Sequence, residues 1–211
     1  MKTLYIDTSS NYLYTAIIKD DSLLCEVKKE LGHRLSEEAM QEISLMFQNN
    51  NITPREIEKI IVVNGPGSFT GIRIGITIAK VYAWSLNIPI ITISSLEAMS
   101  ISSDKKTYKV PVIDARREYV YAAIFDQDEN VILKQQHIKI NDLNEKLKQL
   151  DNYIITTNDE INSFEIKEKY NPDILKIVNK LNNRQSINPH NVNPEYLKKT
   201  EAEELKDDNR V

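Results

Sequence analysis

Residues 59–93 read KIIVVNGPGSFTGIRIGITIAKVYAWSLNIPIITI, and the alternation of composition along them decides the fold. Lys59 to Asn64 is an apolar, β-branched run of the kind found in strands buried on both faces. Gly65 and Gly67 let the chain reverse sharply after it, and the hydroxyl of Ser68 or Thr70 is placed to cap a helix. Ile72, Ile76, Ala79, Ala83 and Leu86 then recur at helical spacing, with Arg73, Thr77, Lys80 and Trp84 on a second stripe. Pro89 stops that helix, and PIITI (89–93) returns as another buried strand. The whole is a strand–helix–strand unit.

Working outward, TLYID (3–7), YLYTAII (12–18) and LLCEVKK (23–29) read as three strands separated by turn clusters at Thr8–Asn11 and Lys19–Ser22. Connections this short make the neighbours antiparallel. Leu35, Ala39, Ile43 and Met46 mark a helix from about Arg34 to Gln48, and Pro54 opens a short one. A meander followed by alternating strands and helices is the order of a ribonuclease H-like lobe. The second half begins the same way. KVPVID (109–114) and EYVYAAIF (118–125) are strands joined by Ala115, Arg116 and Arg117, and Val131 to Ile140 supplies a third. The expectation is an α/β fold of two related lobes with mixed sheets, residues 1–98 and a smaller 99–211, divided near 94–106. Further on, the reading is a helix at Asp142–Leu150, a strand at Tyr153–Thr156, helices near Phe164–Tyr170 and Ile174–Leu181, and a partly docked, solvated tail at 194–206.

The 211 residues are 41% hydrophobic and 27% charged with 5 Gly and 7 Pro, which excludes collagen-like, low-complexity and disordered classes. Lys and Arg total 27 against 31 for Asp and Glu, so no global positive field draws nucleic acid. Service to nucleic acid would then run through a partner. Cys25 is the single cysteine, which excludes an internal disulfide and a cysteine-built zinc site and fits a reducing cytoplasm. Asp7 interrupts the first apolar run before a secretory segment develops, and Arg73, Lys80, Asn87 and Pro89 break the longest one, so no membrane association is expected.

The segment Gly65-Pro66-Gly67-Ser68-Phe69-Thr70-Gly71 lacks the lysine of a Walker loop, and its glycines miss the dinucleotide spacing. Two readings stand: a tight strand-to-helix turn, or a cradle of N–H groups for an anion. Gly71 and Gly75 each cost their helix about 1 kcal/mol against alanine and so imply close approach of another backbone, from the lobe's own sheet or from a second protein. Asp7-Thr8-Ser9-Ser10 is either a hairpin turn with Asx chemistry or a phosphate loop. Asp114-Ala115-Arg116 holds the corresponding place in the second lobe, so the two carboxylates would flank a cleft. His33, His137 and His190 share no metal-binding spacing, Ser68 fails the nucleophile-elbow pattern, and Cys25 reads as a small hydrophobe in a strand. No complete catalytic apparatus appears.

In GPGSFTGIRIGITIAKVYAWSLNIP (65–89), IDTSS (6–10), SSLEAMS (94–100), VIDARREYVYAAIF (112–125) and the closing Pro194, Tyr196, Leu197, Lys198 and Glu201–Glu203, the sequence resembles the TsaB (YeaZ) family. These are bacterial partner proteins needed to make N6-threonylcarbamoyladenosine in tRNA. The resemblance implies a two-lobed actin-like ATPase fold. It also implies a non-catalytic subunit that binds the transferase TsaD and the ATPase TsaE, pairs with itself in isolation, and meets tRNA only indirectly. Ser95 and Met99 stand where the catalytic relative TsaD carries its metal-binding histidines, exchanging hard ligands for a weak oxygen and a soft thioether. No metal or cofactor is then expected on this subunit, ATP and Mg being used by the wider complex, and Asp7, Thr8, Asp114 and Arg116 would mark a vestigial nucleotide cleft. The partner surface is expected on the helices at 34–48 and 70–86, through Leu35, Ala39, Gly71, Arg73, Gly75, Thr77 and Ala79. Gly71→Leu or Gly75→Leu would accordingly break association while leaving the lobes folded. His33 resembles the family's histidine before the first helix and reads as a cap or interface residue, and Lys198 replaces an arginine frequent after Tyr-Leu. The competing classes are an actin-like nucleotide hydrolase or M22-type glycopeptidase, and a homodimeric scaffold with other clients.

Overall fold

The computed structural model describes residues 1–164 and 167–198. The chain opens with β1 (Lys2–Asp7), β2 (Tyr12–Lys19) and β3 (Ser22–Glu30), an antiparallel meander. Then follow α1 (Leu35–Asn49), β4 (Lys59–Val63), α2 (Phe69–Leu86) and β5 (Ile90–Ile93). β1 pairs parallel with β4, and β4 with β5, so the sheet order is β3-β2-β1-β4-β5. Leu4 lies between Ile17 on β2 and Ile60 on β4, which makes the strand ending at Asp7 the central one. α1 and α2 cover one face of this sheet, where Leu4, Ile6, Ile43, Ile60, Ile72 and Ile76 share a core.

The second lobe repeats the plan with β6 (Tyr108–Asp114), β7 (Tyr119–Phe125), β8 (Val131–Lys139), α4 (Ile140–Leu147), β9 (Tyr153–Thr157) and β10 (Lys167–Lys169). Its order, β8-β7-β6-β9-β10, is that of the first sheet strand for strand. The fold is α/β with two ribonuclease H-like lobes and mixed sheets. The helix expected near Phe164–Tyr170 gives way to β10, which pairs parallel with β9 through Lys167↔Ile155 and Lys169↔Thr157. An edge strand is held by its neighbour's backbone, and three residues of alternating exposure carry too little pattern to announce it.

α3 (Ser95–Ser102) and α5 (Ile174–Lys180) sit between the lobes and cross over: α3 packs on β6 and β7, and α5 packs on β1 and β2. Tyr5 and Tyr14 from the first sheet, Ala123 and Phe125 from the second, and Met99, Ile174 and Ile177 from these helices form one core. Within the expected division near 94–106, residues 95–102 form the helix α3, packed between the lobes. Residues after α5 return to the first lobe, where Ile187 N–H donates to Ile90 O at 2.8 Å, Glu195 N–H donates to Asn64 O at 2.8 Å and Val192 is buried among first-lobe residues. Of the expected tail, 194–198 is docked there, and 199–206 lies outside the described residues. Among the described residues, no helix is long and apolar enough to cross a membrane.

Candidate functional site

The glycine segment is built into the first lobe. Asp7 Oδ1 accepts the Ser9 N–H at 2.8 Å, an Asx turn that leads the chain from β1 towards β2. Ser68 N–H donates to Ser9 O at 2.7 Å, and the Thr8 hydroxyl donates to Gly71 O at 2.7 Å. A Cβ added at Gly67 would collide with Ser9 O, one at Gly71 with Thr8 O, and one at Gly75 with Thr8 Oγ1. The close approach implied by Gly71 and Gly75 is thus to the lobe's own central strand. Ser68 Oγ accepts the Gly71 N–H at 3.2 Å and caps α2, while Ile72 N–H donates to Ser68 O at 2.9 Å. Two amides of the segment, those of Ser68 and Gly71, are thus committed within the chain, and the segment forms the strand-to-helix turn between β4 and α2. On the far side, Gly65 faces Glu195 O, Ser95 N–H donates to Gly65 O at 2.9 Å and the Ser95 hydroxyl donates to Pro66 O. Ser95 therefore fastens the segment to α3, and Met99 is buried in the interlobe core.

At the second opening Asp114 Oδ1 accepts the Arg116 N–H at 2.9 Å, the same Asx turn, and Asp114 N–H donates to Asp159 Oδ2 at 2.7 Å. Arg116, Arg117 and Glu118 follow in left-handed conformation, with φ of 65°, 53° and 63°. Between the two openings lies a cleft of about 550 Å³. Ser10, Ser68, Phe69 and Thr70 line it from the first lobe, Asp114, Arg116, Asn158 and Asp159 from the second, with Met99 and Tyr170 between. Asp114 and Arg116 stand where expected. Asp7 and Thr8 do not line it, being buried under the glycine segment. Burial pushes the Asp7 carboxyl up, opposed by the Ser9 hydrogen bonds, and burial also raises Asp159, helped by the charge of Asp114. Asp159, Asn158 and Tyr170 come from the Asn- and Lys-rich stretch of the second lobe; the end of β9, read from sequence at Tyr153–Thr156, is a signal for the first two, whereas Tyr170 follows β10, which the sequence does not announce.

The surface expected to meet a partner divides in two. Leu35, Ala39, Gly71, Gly75 and Ala79 are buried within the first lobe, so their apolar or small side chains pack α1 and α2 onto the chain itself. Arg73 and Thr77 are exposed. The Arg73 guanidinium lies 3.7 Å over the Phe69 ring, and its Nε donates to Tyr196 Oη at 2.8 Å. Phe69 and Tyr196 stack with centroids 5.5 Å apart, so a residue of the returning segment completes this surface. His33 is exposed in a 3-10 turn, Gly32–Arg34, and Cys25 is half-buried with its thiol pushed up by burial. Among the described residues, no group of three His, Cys, Asp or Glu is arranged to hold a metal ion.

Comparison with known proteins adds relatives to this geometry. The family model described as TsaD, tRNA N6-adenosine threonylcarbamoyltransferase, matches residues 29–202. A tRNA threonylcarbamoyladenosine biosynthesis protein TsaB of Bacillus subtilis is 30% identical over 222 residues, covering 96% of each chain. The protein of the same name from Escherichia coli is 32% identical over 167 residues, 74% of this chain and 70% of that one. A solved structure of YeaZ from Pseudomonas aeruginosa superposes with a TM-score of 0.75 at 14% identity, covering 92% of this chain and 100% of that one, a likeness of fold.

Proposed function

The chain belongs to the TsaB family, within the wider group that the TsaD model describes, and on that premise we propose that it serves tRNA threonylcarbamoyladenosine biosynthesis as a non-catalytic partner subunit. In this reading it supports modification of tRNAs for codons that begin with A. It binds TsaD, TsaE joins the assembly, and two copies pair when TsaD is absent. It works in the cytoplasm and meets tRNA through TsaD. Nucleotide and magnesium are used elsewhere in the complex, a reading supported by the committed amides of the glycine segment and by the packing roles of Ser95 and Met99. The same features weigh against a nucleotide hydrolase or glycopeptidase.

The observation that carries the proposal is the outer face of α1 and α2. Arg73, Thr77, Val81 and Trp84 form one stripe along α2, and beside them Met40 opens a groove towards α1. Trp84 is 70% exposed, Val81 58%, Phe69 57% and Met40 43%, and large apolar side chains left in water together on two adjacent helices mark a protein contact. The test is co-elution of the purified chain with the TsaD of the same organism, followed by titration. Trp84→Ala should weaken the pair by about 2 kcal/mol, as truncation of a tryptophan anchor does, at unchanged melting temperature. Failure of the wild-type chain to bind TsaD, or full affinity in the Trp84→Ala chain, would overturn the placement.

A further inference from the structure

We propose that Arg73 is a preformed receptor for a carboxylate of the partner protein, held in its binding posture by Phe69 and Tyr196. This rests on the reading of the α1 and α2 face as the TsaD contact and names the chemistry at one end of it. Phe69, Arg73 and Thr77 are spaced by four along α2 and so share one side of the helix. The guanidinium lies 3.7 Å from the centre of the Phe69 ring and 5.9 Å from that of Tyr196, and its Nε donates to Tyr196 Oη at 2.8 Å. An exposed arginine ordinarily samples many rotamers, and ordering it is part of the cost of a contact. Here two rings and one hydrogen bond have already ordered it. Nη1 and Nη2 are left over, with no partner among the described residues. Arg184 shows the complement they lack, since its Nη1 and Nη2 donate to the two carboxylate oxygens of Glu97.

The surroundings call for an acid as well. The groove beside Arg73, about 430 Å³, has apolar and hydroxyl-bearing walls that include Met40, Phe69 and Ile78, and Arg73 is the one charged residue among those lining it. The first turn of α2 carries no acidic residue, so the positive end of the helix dipole adds to the charge of the arginine. Glu195, next to Tyr196, is engaged elsewhere: its carboxylate accepts from Gln135 Nε2 on β8, and with Leu197 it lines a separate cavity against the second lobe. An uncompensated cation among exposed apolar side chains fits a partner surface that is itself apolar with a carboxylate at its edge. An ion pair left in water contributes little. One from which the surrounding contact excludes water, and in which one side is ordered beforehand, contributes more, and arginine is among the residues that dominate protein contacts. Tyr196 acts through Arg73 and is a positioning residue.

One arm of the test needs no partner. In the free full-length chain, nuclear magnetic resonance of the arginine side chains should show an Arg73 Nε–H that exchanges with water slowly at pH 7, and Tyr196→Phe should speed that exchange severalfold. The second arm titrates the TsaD of the same organism into wild-type and variant chains shown by circular dichroism to be folded. Arg73→Lys keeps the charge and loses the fork, and should weaken binding about tenfold; Arg73→Met should weaken it at least as much. Tyr196→Phe should weaken binding severalfold in the wild-type background and not at all in the Arg73→Met background, a result that general support of the returning segment would not produce. Exposed aspartates and glutamates of TsaD, changed one at a time to asparagine or glutamine, should include one whose loss has no effect once Arg73 is Met. Full affinity in Arg73→Lys, additive losses for Tyr196→Phe and Arg73→Met, no coupled acid on TsaD, or an Nε–H no slower in the wild type than in Tyr196→Phe would each overturn this proposal while leaving TsaD as the partner. Failure of the wild-type chain to bind TsaD would overturn the reading beneath it, and this proposal with it.

Discussion

Both lobes open on an aspartate at the end of their central strand, each accepting the amide two residues on, yet Asp7 is sealed from solvent and Asp114 stands in it. The turns are alike and their covers are not. Over the first lie Gly67, Ser68 and Gly71, with Ser68 N–H on Ser9 O and the Thr8 hydroxyl on Gly71 O. The second is held from one side by Asp159, and Arg116, Arg117 and Glu118 run left-handed beyond it, Arg116 lining the cleft. The same local chemistry has become a packed joint in one lobe and an accessible surface in the other. What a strand-end aspartate does is therefore set by the element packed on it.

The largest consequence of that difference concerns the glycines. Gly71→Ala places a methyl group on the Thr8 carbonyl, and Gly67→Ala adds to the same kind of clash a backbone at φ 152° that side chains rarely adopt. Overpacking against backbone that cannot move should destabilise the first lobe by about 3 kcal/mol in urea unfolding. Gly71→Leu and Gly75→Leu, expected from sequence to break association in folded lobes, should instead break the fold first. A loss under about 1 kcal/mol for Gly71→Ala would mean that the joint gives way easily, and the contrast between the lobes would fail.

Much of this was legible in the sequence. The β-branched run before GPGSFTG, the helical stripe after it and the turn cluster at Thr8–Asn11 each obey local rules, and the repeat of the opening at 109–125 gave the second lobe. The glycine costs at 71 and 75 correctly announced a close approach. What they could not announce was its object, because the register of α2 over β1 decides whether Gly71 meets Thr8 or a partner. Asp7 and Asp114 look equivalent for the same reason, since the cover of Asp7 comes from about sixty residues away. Tyr196 was readable as part of a closing motif, but its stacking on Phe69 depends on the chain returning across the first lobe. Asp159 and Tyr170 follow short strands in a stretch without periodicity, and only sheet pairing brings them to the cleft.

Protonation gives a second handle on the contrast. Burial raises the Asp7 carboxyl above its ordinary value of 3.8, so its ionised form is disfavoured in the folded chain, the reverse of a salt-bridged carboxylate. The penalty is complete above the folded-state pKa and disappears as pH falls through it towards 3.8, where the unfolded chain also takes up its proton. Asp7→Asn keeps an oxygen for the Ser9 amide and removes the charge. It should raise the melting temperature at pH 7, with the advantage shrinking steadily as pH is lowered. Asp114→Asn, at the exposed turn, should change stability by no more than about 0.5 kcal/mol. Equal responses from the two variants would contradict the difference in burial.

The smallest effect has the most direct sign. Arg117 holds φ at 53°, a conformation that costs an L-residue roughly 1–2 kcal/mol, whereas Ser10, three residues beyond its own aspartate, is not left-handed and its hydroxyl oxygen accepts the Tyr12 N–H at 3.2 Å. Glycine relieves the strain at 117 but gives the unfolded chain more freedom, so Arg117→Gly should stabilise by about 0.5 kcal/mol net. Ser10→Gly relieves nothing, loses the hydrogen bond and adds the same freedom, so it should destabilise by about 1 kcal/mol. Opposite shifts of the urea midpoint would locate the strain in the second turn alone. Shifts of the same sign would show that the two turns share one backbone preference and that their difference lies only in what covers them.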